Sequence, residues 1–255
     1  MDDPPIIDPG ESHGLSQDED LLRGVGSGVP ESAVDDPARI DRIREEFEMG
    51  FSALAHVESA VSIFGSARTP PDDPIYALAR ETACKLGEAG VTIITGGGPG
   101  IMQAANQGAR DAGALSVGLN IELPFEQEPN EFLDISLTFE HFYSRKVMFV
   151  RYSTAFVVFP GGFGTFDEMF EALTLIQTRK IHHFPVILAG DGYWDGLMSW
   201  LRGEVVGRGN IDPDELELLR PCDTPDQVLQ TVLEARAAQR VYYEPDDGKV
   251  DRGLI

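Results

Sequence analysis

Short apolar runs of strand length alternate with helix-length amphipathic segments through the middle of this chain, and few folds accept that order. The runs lie at residues 60–64, 91–95, 115–119, 155–159 and 186–188 and are rich in β-branched or aromatic residues. Segments of helical periodicity separate most of them, at 75–89, 101–112, 141–152, 165–177 and 194–205. A further segment, 36–55, precedes the first run and places Ile40, Ile43, Phe47, Phe51 and Leu54 on one face. Strands alternating with helices are joined by parallel crossovers, and nearly uniform apolar strands belong to a sheet covered on both faces. The pattern predicts an α/β, doubly wound, Rossmann-like parallel sheet with helices on both faces, in a single domain. Ligands on such sheets bind beyond the carboxyl ends of the strands, so the informative residues should directly follow the strand runs.

The 255 residues, 42% of them hydrophobic, suffice for one large domain, expected over 36–242. Residues 1–35 mix Asp, Glu, Pro, Gly and Ser with few apolar residues, which cannot bury enough surface to offset the entropy of ordering. They read as a disordered acidic leader, and residues 243–255, with Pro245, Asp246, Asp247 and Gly248, as a flexible tail. The formal net charge of −23 argues against a nucleic-acid polymer as partner, because neutralising successive phosphates takes clustered Lys and Arg. Fourteen acidic residues face four arginines in the first fifty positions, which leaves the folded part nearer neutrality. Cys84 and Cys222 stand far apart in a chain without an apolar leader at Met1, so reduced thiols in the cytoplasm are expected. No apolar run approaches the roughly 20 residues that span a bilayer, and no membrane partner is expected.

Two glycine-rich turns carry the chemistry. Gly96, Gly97, Gly98, Pro99 and Gly100 follow the run at 91–95, and a helix is expected at once from Ile101. Pro160, Gly161, Gly162, Phe163, Gly164 and Thr165 repeat the device after 155–159. A strand, a glycine turn and a helix aim backbone N–H groups and a helix dipole at an anion. Neither turn completes the dinucleotide fingerprint, since the third glycine would fall on Ile101 or Asp167, and neither carries the Gly-Lys-Ser/Thr of a P-loop. A smaller phosphate remains, against the alternative that the glycines merely permit tight turns. In the second turn Thr165 is placed to cap the helix and offer a hydroxyl, with Asp167 and Glu168 in the first helical turn. Capping alone would explain the two acids, but Glu168 also lies where a bound phosphosugar would meet its carboxylate.

The stretch from Pro160 to Glu168, read as PGGFGTFDE, resembles the PGGxGTxxE motif of the Lonely Guy phosphoribohydrolases, a family long mislabelled as lysine decarboxylases. The resemblance extends to Gly96–Met102, to Gly65 and Ser66 after the first strand, and to the segment from Ser144 to Phe149, and it covers about 57–188. It implies a hydrolase that cleaves the N-glycosidic bond of a nucleoside 5'-monophosphate, AMP or a cytokinin riboside monophosphate, to free base and ribose 5-phosphate. It also implies a homodimer or larger dimer-based assembly with sites near the subunit interface. Arg145 and Glu168 match the catalytic pair. Gly65, Ser66, Gly96, Gly97, Gly98, Met102, Lys146, Gly161, Gly162, Gly164 and Thr165 become candidates for substrate and phosphate binding. The leader, the helix before the first strand and the extended C-terminal segment depart from the shortest members.

The chemistry suits those residues. Breaking an N-glycosidic bond develops positive charge at the anomeric carbon, so the site needs a carboxylate near the ribose and donors on the phosphate and leaving base. Glu168 could stabilise that charge, polarise water or attack as a nucleophile. Arg145 can fork onto a phosphate or assist at the base, and Met102 can pack on the base. No cofactor and no metal are expected: His182 and His183 have no partner at ligand spacing, and none of Lys85, Lys146, Lys180 and Lys249 is a persuasive Schiff-base lysine. Asp72 and Asp73 read as loop acids before Pro74, and Tyr242 and Tyr243 as packing or tail residues. A non-catalytic carrier of a nucleotide, similar to the molybdenum-cofactor carrier proteins, is the competing reading; retention of both Arg145 and Glu168 favours the enzyme.

Overall fold

The strand β1 (Ala60–Phe64) is buried along its whole length, which only a position in the middle of a two-sided sheet can provide. In the computed structural model it pairs on one side with β2 (Thr92–Thr95) and on the other with β5 (Ser153–Val158), both parallel. β3 (Ser116–Ile121), β4 (Ile135–Phe139), β6 (Val186–Ala189) and β7 (Leu219–Cys222) complete a seven-stranded parallel sheet in the order β4-β3-β2-β1-β5-β6-β7. The structure describes residues 18, 32–123, 128–181, 184–190 and 192–243, with the backbone alone for 32–36 and 240–243. Most of the expected leader, the tail beyond Tyr243 and the His182–His183 pair lie outside the described residues.

Helices α1 (Ser32–Ala53), α2 (Pro74–Glu88), α3 (Ile101–Asp111), α4 (Phe142–Tyr152), α5 (Phe163–Gln177), α6 (Asp195–Trp200) and α7 (Pro225–Tyr243) accompany the sheet. Two apolar layers result. Phe64, Phe149 and Phe156 centre one, with ring centroids 5.0 and 4.9 Å from Phe64, and Val61, Ile63, Ala79, Leu86 and Ile101 build the other. Each of the larger of these side chains contributes roughly 1.5–3 kcal/mol by leaving water. Local signals set the helix ends: Asp73 caps α2 by accepting from the Ile75 N–H at 2.8 Å, and Pro74 occupies the first turn, where no donor is lost.

Several boundaries differ from expectation. α1 begins at Ser32, so residues 32–35 belong to a helix rather than to the leader. Two strands and a helix had no counterpart: β4, at the sheet edge, alternates half-buried and exposed positions up to the buried Phe139, β7 is four residues long with Arg220 and Pro221 exposed, and α7 follows it. An edge strand is covered on one side only, so the uniform apolar run that marks a central strand is missing. The segment expected to be helical over 194–205 is α6 continued by a π-helical turn, Leu201–Val206.

Candidate active site

The direction of strand order reverses at β1, between β2 and β5, and an open parallel sheet forms its ligand crevice beyond that point. Three loops meet there and are tied by backbone hydrogen bonds. The Phe159 N–H donates to the Phe64 carbonyl at 2.8 Å, Ser66 N–H to Pro160 at 2.9 Å, and Ile101 N–H to Ser66 at 3.0 Å. Ser66 therefore joins the end of β1 to both glycine turns, while its hydroxyl accepts from the Arg68 N–H at 3.0 Å. Gly65 lies directly against Ile101.

The second turn is built as a cradle. α5 starts at Phe163 with Gly162 as its N-cap and no side-chain cap, which corrects the expected capping role of Thr165. Thr165 instead sits in the first helical turn, its hydroxyl turned against Gly161, where a side chain on Gly161 would collide with it and with the Ser66 nitrogen. Asp167 and Glu168 consequently fall beyond the first turn. The Pro160 carbonyl is taken by Ser66 and the Gly161 carbonyl by the Tyr193 hydroxyl at 2.9 Å. The N–H groups of Gly162, Phe163 and Gly164 find no acceptor among the described residues. Side chains on Gly162 or Gly164 would meet no atom within 4 Å. The cradle thus presents free donors beside open space, an arrangement chemically suited to an anion.

The first turn is built differently. Gly97 spends its N–H on the Thr95 hydroxyl at 2.9 Å, and its carbonyl accepts from the Asn130 N–H at 2.8 Å. The Asn130 amide also reaches the carbonyls of Gly97 and Gly98, each at 3.0 Å, and Asn106 Oδ1 at 3.0 Å. Asn106 in turn joins Thr95 at 2.6 Å and Ser116 at 2.9 Å, so a buried polar network braces the turn from below. Two further candidate residues gather at Gly96: a Cβ there would stand 2.7 Å from Met102 Sδ and 3.1 Å from an Arg145 terminal nitrogen. Met102 is half-buried and belongs to neither apolar layer.

Arg145 enters from α4 and Glu168 from α5. The Arg145 guanidinium lies near the rings of Phe149, 5.2 Å away, and Phe142, 5.9 Å away, and its Nε is buried without a hydrogen-bond partner. Burial lowers the Arg145 pKa, while the charges of Glu168 and Asp167 oppose that shift. Glu168 is 6% exposed, and its carboxyl is pushed up to about 7 by burial, against the opposing pull of Arg145 and Lys146. Lys146 bridges Asp167 at 2.8 Å and Glu171 at 2.7 Å, which clips α4 to α5. Burial acts to lower its pKa, but the hydrogen bonds to the two carboxylates outweigh it and leave Lys146 raised and charged.

Pyridoxal chemistry needs a lysine able to shed its proton. Lys85 is held protonated chiefly by its hydrogen bond to Asp226, at 2.5 Å, and Lys146 by its two carboxylates. Lys180 lies at the amino edge of the sheet beside Arg151 and Arg236, away from the crevice. The described residues therefore do not fit that cofactor. Among them no cluster of three His, Cys, Asp or Glu could hold a metal ion, and no helix is long and apolar enough to cross a membrane.

Thr95, Asn106, Asn130 and Tyr193 support the two turns, and none was singled out from sequence. Their roles are hydrogen bonds across 24 to 33 positions of chain in the case of Asn130, and 32 for Tyr193. The only available signal was a polar residue, Thr95, at the end of an apolar strand run.

Comparison with known proteins agrees with this geometry. A family model described as "Possible lysine decarboxylase" matches residues 102–232, half of the chain. A cytokinin riboside 5'-monophosphate phosphoribohydrolase of Mycobacterium tuberculosis is 30% identical over 167 residues, covering 64% of this chain and 88% of that protein. The enzyme of the same name LOG2, from Arabidopsis thaliana, is 30% identical over 180 residues, 68% of this chain and 82% of its own length. Among solved structures, TM1055 superposes with a TM-score of 0.55 at 21% identity, covering 69% of this chain and 99% of the other. The molybdenum cofactor carrier protein of Chlamydomonas reinhardtii gives 0.52 at 20% identity, with 71% and 99% covered. These last two share the fold. With the PGGFGTFDE cradle, the half-buried Arg145, the buried Glu168 and relatives of this similarity, the chain belongs to the Lonely Guy family of phosphoribohydrolases.

Proposed function

We propose that this protein hydrolyses the N-glycosidic bond of AMP or an N6-modified, cytokinin-type AMP, releasing the base and ribose 5-phosphate. One observation carries the reading: Arg145, with an unpaired Nε and a terminal nitrogen beside Gly96, is close enough to the buried Glu168, whose pKa is about 7, for the two charges to act on each other, and the helix that carries Glu168 begins at a cradle of free N–H groups. The phosphate sits at Gly161–Thr165, and Met102 and Gly96 border the base. As C1' gains positive charge, the ionised Glu168 carboxylate stabilises it and accepts a proton from the attacking water. The water oxygen bonds C1', the C1'–N bond breaks, and the proton taken by Glu168 passes by way of solvent to the departing base, which restores the carboxylate. Arg145 supplies fixed positive charge to the phosphate or the departing base.

The acting form is a homodimer or a dimer-based assembly. Phe163 is 96% exposed at the lip of the cradle, and Phe142, Tyr143, Val147 and Phe170 on α4 and α5 are also exposed. An apolar set of this kind beside a site suits a second copy. Two unpaired cysteines, Cys84 and Cys222, suit a reducing compartment, the cytoplasm.

Incubation with AMP, GMP, CMP and isopentenyl-AMP, followed by separation of the products, tests the reading. Free base with ribose 5-phosphate supports it and ranks the bases. Tight binding of every nucleotide without product formation would establish the carrier reading instead.

A further inference from the structure

The helix α4, which carries Arg145, begins without a cap of its own. Its N-cap residue, His141, makes no side-chain capping bond, so the N–H groups at its start need partners from elsewhere. They come from α1. Glu46 Oε1 accepts from the Glu140 N–H at 2.5 Å and from the His141 N–H at 3.2 Å, and Glu46 Oε2 lies 3.1 Å from His141 Nδ1. Both residues are buried, Glu46 at 8% and His141 at 1% exposure. The Phe142 N–H, the next in line, donates to Asp18 at 3.3 Å. A buried carboxylate at a helix N-terminus is stabilised by the dipole and by charge-assisted hydrogen bonds, so this contact is strong as well as specific.

The clamp reaches the site in one step, because the Arg145 N–H donates to the carbonyl of His141, the residue that Glu46 holds. α1 then follows α4 in register. A Cβ on Gly50 would stand 2.7 Å from Met148 Sδ, and the Phe51 ring lies 4.7 Å from the Arg151 guanidinium. The rings that pack against the Arg145 guanidinium, Phe142 and Phe149, belong to α4 itself, and its Nε is unpaired. Its placement therefore depends on where the first turns of α4 are held.

We propose that Glu46 is a positioning residue: its carboxylate caps α4 from α1 and sets the place of Arg145 for hydrolysis. This rests on the function proposed above, and α1 lies outside the segment matched by the family model, residues 102–232. Glu46 touches neither the cradle nor Glu168; it acts through His141 and the α4 backbone.

The test compares wild type, Glu46→Gln and Glu46→Ala as full chains, by AMP kinetics and by amide hydrogen exchange over residues 140–149 without substrate. Glu46→Ala should keep the overall fold, speed exchange at the start of α4 alone, and lower kcat at least about tenfold with KM changed less than about threefold, as expected when a catalytic group is displaced by a fraction of an ångström. Glu46→Gln keeps an acceptor oxygen and should recover most of both readouts. A folded Glu46→Ala protein with unchanged exchange in 140–149, or with normal kcat, overturns the proposal. Should Glu46→Ala not fold, Glu46→Gln decides: loss of the charge must still quicken exchange in 140–149 and lower kcat measurably, and failure to do so overturns it. Wild type that hydrolyses no nucleotide refutes the function, while the exchange data still report whether Glu46 holds α4.

Discussion

Asn130 donates its side-chain amide to the carbonyl of Gly97 at 3.0 Å and, from the backbone, a second N–H to the same oxygen at 2.8 Å. One residue thus ties down the carbonyls of Gly97 and Gly98 in the first glycine turn. Asn130→Ala leaves the Gly98 carbonyl and Asn106 Oδ1 without that partner. The variant should lose about 1–3 kcal/mol of stability in urea unfolding, the cost of unsatisfied buried polar groups, and should raise KM for AMP. Unchanged stability would mean that water replaces the amide without loss.

Glu168→Gln is nearly isosteric and leaves the cradle donors in place. Nucleotide binding should persist within a few-fold, while turnover falls at least about a hundredfold, roughly 2.7 kcal/mol of transition-state stabilisation. Single-turnover kinetics beside a direct binding measurement separates the two effects. Near-normal turnover would remove Glu168 from the chemistry.

The same carboxyl makes stability depend on pH. Its pKa in the folded chain, about 7, lies above the ordinary value of 4.5, so folding favours the protonated form. That contribution is complete below pH 4.5 and is lost as pH rises through 7. Relative to Glu168→Gln, wild type should weaken across this window by on the order of 2–3 kcal/mol and remain weaker at pH 8. Parallel denaturation curves at pH 4.5 and pH 8 would expose an unshifted carboxyl as a constant difference. In catalysis the sign reverses: kcat should rise through about pH 7 as the carboxylate forms.

Gly162 has φ −98° and ψ −157°, a backbone any residue can adopt, and a Cβ there would meet nothing within 4 Å. Gly162→Ala should therefore keep its stability within about 0.5 kcal/mol. If phosphate approaches this backbone, the added methyl should raise KM for AMP at least about tenfold, about 1.4 kcal/mol. Wild-type KM in this variant would move the phosphate elsewhere. Adenosine, lacking the phosphate, should not be cleaved by either protein.

Prolonged dialysis against a chelator should leave AMP hydrolysis intact, since the reaction as proposed uses carboxylate, arginine and backbone donors. Loss of activity that one divalent ion restores would require a metal in the mechanism.

Local chemistry in the sequence determined the central strands, the helices between them, both glycine turns and the motif from Pro160 to Glu168. Buried central strands are apolar on both faces and helices repeat at 3.6 residues, so each can be read from its own segment. Tertiary structure decided what depends on neighbours distant in the chain. Edge strands β4 and β7 are strands because β3 and β6 offer them hydrogen bonds, and their own half-exposed patterns do not announce it. Both turns read alike as sequence, yet Thr95 and Asn130 occupy polar groups of one, while Ser66 and Tyr193 leave the donors of the other free. Glu168 titrates near 7 because the folded chain surrounds it and removes water, and Glu46 caps α4 across 95 positions of sequence. Desolvation and long-range hydrogen bonds arise only when distant segments are brought together, which is why no local pattern foretold them.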